Sequence, residues 1–138
     1  PILPAPLTVT GDARVTLYVS SDAPDTDFMV RLCDVDEAGR SVKLADGILA
    51  ARFRNGFSAP EYLEPGKVEK LVIRTSKISH CFLPGHRLRV SVTSGAKHFV
   101  FPNSNTKDAY NSTESRVAHN PVWHGGAAPS HIPLHVER

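Results

Sequence analysis

The sequence predicts an all-β protein, a sandwich of antiparallel strands with Greek-key or jelly-roll connections. Apolar and polar residues alternate at the two-residue period of half-buried strands, most clearly in residues 14–20 and 86–93. Most of the 11 prolines lie between such runs, where prolines mark turns. A late alternating segment, residues 131–136, is placed to pair with a strand near the start of the chain, as this topology requires.

The composition is that of one folded domain. The 138 residues suit a single hydrophobic core, and 41% of them are apolar. The net charge is only +2 with acids and bases interspersed, which argues against a nucleic-acid partner. No apolar run approaches the roughly 20 residues that span a bilayer. With no signal peptide visible, we expect a cytoplasmic protein without a membrane partner. The chain begins at Pro1, so we expect a fragment of something longer.

The first third of the chain reads as strands joined by tight turns. Residues 1–7 are an extended lead-in, because three prolines exclude a helix. Residues 14–20 form a strand whose inward side chains are Val15, Leu17 and Val19. Residues 27–35 are apolar on both faces, which predicts a central strand, with a neighbouring domain covering one face. Residues 34–40 form a hairpin turn in which Gly39 takes a positive φ.

The middle of the chain continues the pattern. Residues 42–54 are predicted as a strand, although alanine and leucine make a helix over 43–54 a real alternative. The inward side chains would be Leu49, Ala51 and Phe53, and the outward ones Arg52 and Arg54. Residues 55–66 are a loop, and 67–75 a strand with Leu71 and Ile73 inward. Residues 76–85 are a bend or short helical turn, and 86–93 a strand with Leu88, Val90 and Val92 inward.

Residues 95–129 are rich in polar residues, glycine and proline and carry little regular pattern. Irregular segments of this length are uncommon in compact domains and are often functional. The sequence therefore directs attention to this segment and to the acidic turn at residues 20–28, which joins two predicted strands.

The acidic turn contains Asp22, Asp25 and Asp27. Carboxylates at this spacing invite a Ca²⁺ site, since Ca²⁺ binds several oxygen ligands. The EF-hand pattern is absent, however, because its glycine and its final glutamate are missing. The alternative, which we prefer, is that these aspartates cap backbone N–H groups.

Other catalytic or metal-binding patterns are weak. The seven histidines include no pair at helical zinc-binding spacing, and His131 and His135 lie about 13 Å apart if they share a strand. No G-x-S-x-G nucleophile motif occurs in the chain. Cys33 lies in an apolar run and is predicted to be a small buried residue rather than half of a disulfide. We therefore predict no catalytic residue, no cofactor and no bound metal in this chain.

Trp123 is the single tryptophan and lies in the irregular segment. It would serve as an aromatic platform if the chain were a free-standing carbohydrate-binding module of jelly-roll type. It would equally serve as an anchor into a partner domain, since tryptophan is enriched at interface hot spots. We prefer the anchor.

Several blocks, in order and covering nearly the whole chain, resemble the C-terminal domain of the X-Pro dipeptidyl-peptidase, cocaine esterase and α-amino-acid ester hydrolase family (CocE/NonD). The blocks are Val19–Phe28, Arg31–Arg40, Ala45–Arg52, Phe82–Val92, Asn103–Thr106, Val117–His124 and Pro129–Leu134. The segment 95–113 departs from the usual Ser-x-x-x-Pro-x-x-x-x-Asn pattern of this family, and the sequence reads Ser94-Gly-Ala-Lys-His-Phe-Val-Phe-Pro102.

The resemblance implies a jelly-roll β-sandwich similar to galactose-binding domains. It also implies a serine hydrolase of dipeptidyl-peptidase or acyl-esterase type, whose upstream α/β-hydrolase domain would hold the catalytic residues. This domain would pack on the hydrolase domain and help shape the entrance to the active site. We expect interdomain contacts at Asp25, Asp27, Trp123, His124 and His131. An interdomain face left exposed would favour a homodimer.

Overall fold

The computed structural model describes residues 1–137, which form strands joined by turns and irregular segments. In chain order the strands are β1 (Leu7–Gly11), β2 (Arg14–Val19), β3 (Asp27–Val35), β4 (Ser41–Ala50), β5 (Glu69–Arg74), β6 (Ile78–Phe82), β7 (Arg87–Thr93), β8 (Val122–Trp123) and β9 (His135–Glu137). Two single turns of 3-10 helix, Ala51–Phe53 and Ala109–Asn111, interrupt the connections. The predicted all-β class is confirmed.

The strands form three antiparallel sheets of three strands each, in the orders β6–β1–β9, β5–β2–β8 and β4–β3–β7. β9 pairs with β1, so a late strand returns to the start of the chain as predicted. This strand begins only at His135. Because Pro133 has no N–H to donate to a ladder, His131 is left with an isolated bridge to Thr16.

The main core lies between the sheets β5–β2–β8 and β4–β3–β7, which confirms the predicted β-sandwich. The alternating residues of β2 and β5 point into it, and Leu71 and Ile73 are almost fully buried. Its buried members are Val15, Leu17, Val19, Phe28, Val30, Ala51, Leu63, Leu71 and Ile73. A buried side chain of this size contributes about 1.5–3 kcal/mol. The similarity to galactose-binding domains stays a prediction.

Strand β3 is central and buried on both faces, as its sequence predicts. On the face away from the main core, Met29, Cys33 and Val35 are all buried within this chain. The residues of this one chain therefore suffice to cover both faces, and no neighbouring domain is needed to bury them. Cys33 is a buried free thiol, as expected, and Cys81 is free and exposed.

Two predicted segments are corrected. The strand expected over residues 42–54 ends at Ala50, and the 3-10 turn that follows changes the side-chain period. Arg52 was expected to face outward but is buried. Residues 76–85 were expected to form a bend, and instead contain β6, which pairs with β1 along its whole length. The half-polar sequence of β6, Ile-Ser-His-Cys-Phe, weakens the apolar alternation that reveals a strand.

Among residues 1–137, no helix has the length and apolar character that would let it cross a membrane.

Candidate functional site

The acidic turn between β2 and β3 is polar in sequence and buried in the structure. Ser20, Ser21, Asp25, Thr26 and Asp27 are all buried. Buried polar groups need hydrogen-bond partners, because an unpaired one loses its interaction with water without compensation. The partners lie far away in sequence, mostly in the irregular segment 95–129. The turn is therefore the point at which this segment is attached to the sandwich.

Asp25 forms a buried ion pair with Arg52. Its carboxylate accepts the backbone N–H of Arg52 at 2.9 Å and the Nε hydrogen at 2.8 Å. The 3-10 turn after β4 makes this possible, because it turns the arginine inward rather than outward. Arg52 also donates from Nη2 to the carbonyl oxygen of Thr106, at 3.0 Å. The pair thus holds the irregular segment as well as the end of β4.

Asp27 accepts hydrogen bonds from two neutral side chains. The amide Nδ2 of Asn103 lies 2.8 Å from Oδ1 of Asp27 and 2.8 Å from Oδ2 of Asp25, so it bridges the two carboxylates. The Tyr110 hydroxyl lies 3.0 and 2.9 Å from the two Asp27 oxygens. Burial raises the pKa of Asp27, and these hydrogen bonds only partly oppose the effect. Burial and the bond to Asp27 also raise the pKa of Tyr110.

The same turn fixes the chain again near residue 120. Asp22 accepts the backbone N–H of His119 at 2.9 Å, and its other oxygen lies 2.8 Å from the His119 Nδ1. The backbone hydrogen bond from His119 is the main cause of a lowered pKa for Asp22. Asn120 accepts from the Ser21 hydroxyl at 2.7 Å and donates to the Thr26 hydroxyl at 3.1 Å. Asp22 and Asp25 thus cap backbone N–H groups, as preferred from sequence, but the N–H groups are distant rather than local.

The remaining residues expected at an interface lie beside β2. Trp123 is on β8 opposite Tyr18, is 47% exposed, and donates its indole N–H to the Ser20 hydroxyl at 3.2 Å. His124 follows it and is exposed, as is His131, whose backbone exchanges two hydrogen bonds with Thr16. Asp25 and Asp27 are instead buried inside the turn. The interdomain role of these five residues stays a prediction.

An apolar surface cleft with a volume of about 490 Å³ opens beside Asp27. Its other walls are Ile48, Phe99, Val100, Phe101 and Tyr110. Phe101 is 85% exposed and Phe99 is 57% exposed. The sequence drew attention to the segment that holds most of these residues but not to the residues themselves.

A second polar cluster joins the sheets β6–β1–β9 and β4–β3–β7. Asp34 on β3 has one carboxylate oxygen 2.9 Å from His80 Nε2 and the other 2.8 Å from His86 Nδ1. Both histidines are only partly exposed, so this cluster supports the packing of the two sheets. Across residues 1–137, no group of three or more histidine, cysteine, aspartate or glutamate side chains is arranged to hold a metal ion.

Sequence reasoning missed Arg52, Asn103 and Tyr110 as members of the site. Arg52 was hidden by the assumption that β4 continued past Ala50. Asn103 and Tyr110 lie 76 and 83 positions from Asp27, so no local spacing connects them to it. The sequence offered one weaker signal than a spacing pattern. An acidic turn with three carboxylates requires hydrogen-bond donors, and the polar irregular segment supplies most of them.

Comparison with known proteins identifies the class of domain. Residues 1–133 match the family model of the X-Pro dipeptidyl-peptidase C-terminal non-catalytic domain. The chain is 38% identical over 138 residues to a cocaine esterase from Rhodococcus sp. (strain MB1 Bresler), a match that covers 98% of this chain and 24% of the esterase. The chain therefore belongs to the family of X-Pro dipeptidyl-peptidase C-terminal non-catalytic domains.

Solved structures agree with this assignment. An aminopeptidase from a marine sediment archaeon, Thaumarchaeota archaeon, superposes with a TM-score of 0.94 at 28% identity, over 100% of this chain and 25% of that one. An α-amino acid ester hydrolase superposes with a TM-score of 0.93 at 26% identity, over 99% of this chain and 24% of that one. The chain spans about a quarter of the length of these relatives.

Proposed function

We propose that this chain is the non-catalytic β-sandwich of a serine hydrolase of dipeptidyl-peptidase or acyl-esterase type. In this role it packs on an α/β-hydrolase domain of the same polypeptide and helps shape the entrance to the active site. The observation that carries the proposal is the match of nearly the whole chain to a domain that accounts for a quarter of each relative.

The buried carboxylate network supports this role. A surface that shapes the entrance to an active site must keep its geometry when substrate arrives, which requires side chains fixed by packing and hydrogen bonds. Asp25, Arg52, Asn103, Asp27 and Tyr110 fix the irregular segment to the sandwich at several points. The network therefore supplies the fixed geometry that a surface at the entrance to an active site needs.

The test compares the 138-residue chain with the full polypeptide encoded by its gene. The reading frame upstream of Pro1 should encode a G-x-S-x-G motif, and the full polypeptide should hydrolyse p-nitrophenyl acetate or X-Pro anilides. The 138-residue chain alone should not. Turnover by the chain alone that a serine-reactive inhibitor abolishes would contradict the proposal, as would an upstream frame without a hydrolase.

We also propose that the isolated chain self-associates at high concentration through its exposed apolar surface. Large exposed apolar patches favour association, and Phe99 and Phe101 are both more than half exposed. Sedimentation velocity across a concentration series tests this, and a strict monomer at the highest concentration contradicts it.

A free-standing carbohydrate-binding module is the second candidate. The observation that favours it is the half-exposed ring of Trp123, since an aromatic platform must be accessible to a sugar. Binding on a glycan array that Trp123→Ala abolishes would support this candidate, and an array without binding would remove it.

A further inference from the structure

The walls of the apolar cleft form a continuous exposed surface, here called the aromatic patch. Its members are Ile48, Phe99, Val100, Phe101 and Tyr110. Single exposed apolar residues are normal on a protein surface, but a contiguous group of them marks an interaction site. Three of these five side chains are aromatic, and aromatic residues are enriched at interface cores.

The charge beside the patch is not balanced. Asp25 is neutralised by Arg52, whereas Asp27 receives hydrogen bonds only from neutral groups, those of Asn103 and Tyr110. Within residues 1–137, no lysine, arginine or histidine forms an ion pair with Asp27. A negative charge held at low exposure without a counter-charge attracts a cation.

Tyr110 links the buried Asp27 carboxylate to the protein surface. Its hydroxyl hydrogen is donated to the Asp27 carboxylate, so the lone pairs of the hydroxyl oxygen remain free to accept a hydrogen bond. The Phe99 ring already has the Lys43 ammonium 5.1 Å from its centroid. The faces of Phe101 and Tyr110 attract a cation from another segment in the same way. The cleft therefore suits a positively charged group that arrives surrounded by apolar side chains.

We propose that the aromatic patch is the surface that docks on the hydrolase domain. The docking segment of that domain presents apolar side chains around a lysine or arginine that donates to the Tyr110 hydroxyl oxygen. This inference rests on the proposed function, and specifies which face of the sandwich is covered and what chemistry covers it.

A second copy of this chain fits the patch less well. In a two-fold dimer the same surface meets itself, so a dimer formed through the patch would bring both Asp27 carboxylates to one interface. Lys43 lies over the Phe99 ring but is paired with Asp46, so it does not separate the two Asp27 charges. Like charges opposed at an interface disfavour the pairing, whereas a cationic segment of another domain removes the imbalance.

The location is tested by thiol labelling of the full polypeptide. Phe101→Cys and Phe57→Cys are compared in a Cys81→Ser background, which removes the exposed native thiol. Phe57 is the matched control, because it lies outside the patch and is 80% exposed in this chain, compared with 85% for Phe101. Maleimide should label Phe101→Cys at least about tenfold more slowly in the full polypeptide than in the 138-residue chain. Phe57→Cys should label at the same rate in both.

Equal labelling of Phe101→Cys in the two proteins would overturn the location. Protection of Phe101→Cys in the full polypeptide that is lost on dilution would identify a second copy as the occupant, and would also overturn the proposal. Neither result bears on the proposed function, which depends on the upstream hydrolase motif and on the activity of the full polypeptide.

The charge is tested by two substitutions at one position. Phe101→Glu and Phe101→Lys remove the same ring and differ in the sign of the added charge. Opposite a cationic segment, Phe101→Lys should lower the midpoint of thermal unfolding of the full polypeptide more than Phe101→Glu does. In the 138-residue chain, where the unpaired Asp27 lines the same cleft, Phe101→Lys should unfold at the same temperature as Phe101→Glu or at a higher one. Equal effects in the full polypeptide, or a larger loss with Phe101→Glu, would overturn the cationic partner.

Discussion

Asp25 holds Arg52 by two hydrogen bonds at once, one to its backbone N–H at 2.9 Å and one to its guanidinium Nε at 2.8 Å. Asp25 is fully buried and the Arg52 side chain is 10% exposed, so neither charge has much contact with water. The pair therefore acts as a structural joint between the acidic turn and the end of β4. The pair also fixes the irregular segment, because Arg52 donates a hydrogen bond to the carbonyl oxygen of Thr106.

Removing one member of this pair should be costly. Asp25→Asn leaves the Arg52 charge buried without a partner, and such losses amount to about 3–5 kcal/mol. Urea unfolding of the 138-residue chain measures the change. The matched control is Asp46→Asn, which breaks ion pairs to Arg31 and Lys43, whose side chains are 39% and 49% exposed. Exposed pairs contribute about 0–1 kcal/mol, so equal losses in the two variants would contradict the structural role of Asp25.

Asp27 should make stability depend on pH in the opposite sense to most carboxylates. Its pKa is raised above the ordinary value of 3.8, because burial disfavours the charged form. The folded chain then binds this proton more tightly than the unfolded chain does. The contribution of Asp27 is therefore fully present below pH 3.8 and is lost as pH rises through the folded pKa.

The measurement is the free energy of unfolding as a function of pH for the wild type and for Asp27→Asn. The difference between the two curves isolates this group from carboxylates whose pKa is lowered, such as Asp22 and Asp36, which act in the opposite direction. Relative to Asp27→Asn, the wild type should lose stability as pH rises above 3.8. A difference that is constant with pH, or that changes in the other direction, would show that burial does not control this carboxyl.

Tyr110 should ionise at higher pH than an ordinary tyrosine, whose pKa is 10.0. Burial and the hydrogen bond to Asp27 both favour the protonated phenol, since a phenolate would face the Asp27 carboxylate. Ultraviolet absorbance of tyrosinate during an alkaline titration measures this. Subtracting the titration of Tyr110→Phe from that of the wild type isolates the group. An ordinary midpoint in the difference curve would mean that the bond to Asp27 does not persist in solution.

The sequence allowed prediction of those elements in which side-chain alternation and burial coincide. β2, β5 and β7 alternate regularly, and each was located to within two residues of its observed ends. β6 was missed because Ser79 and His80 make its pattern polar. The inward direction of Arg52 was missed because a 3-10 turn has a different side-chain period from a strand.

The site was less accessible to prediction for a different reason. A hydrogen bond such as that between Asn103 and Asp27 depends on how the irregular segment folds back over the sandwich. Helices and strands repeat with a fixed period, whereas a long irregular segment carries no period from which contacts at a separation of 76 residues could be read. The sequence showed only that an acidic turn with three carboxylates would need hydrogen-bond donors. Which residues would supply them became visible only in three dimensions.

Gly47 on β4 is required by the close approach of β5. A Cβ atom at this position would lie 2.5 Å from the carbonyl oxygen of Arg74 and 3.0 Å from a methyl carbon of Ile73. A backbone oxygen cannot move aside as a flexible side chain can, so Gly47→Ala should force β4 and β5 apart. Overpacking of this kind costs about 1–3 kcal/mol.

Urea unfolding of Gly47→Ala should show this loss, with Gly95→Ala as the control. An added Cβ at Gly95 meets nothing within 4 Å, so the control variant should differ from the wild type by less than about 0.5 kcal/mol. A backbone-entropy effect of replacing glycine would act on both variants alike, whereas the steric effect acts only at Gly47. Equal stability of the two variants would therefore mean that β4 and β5 are not in contact at this point, and the packing of the sandwich at Arg74 would have to be revised.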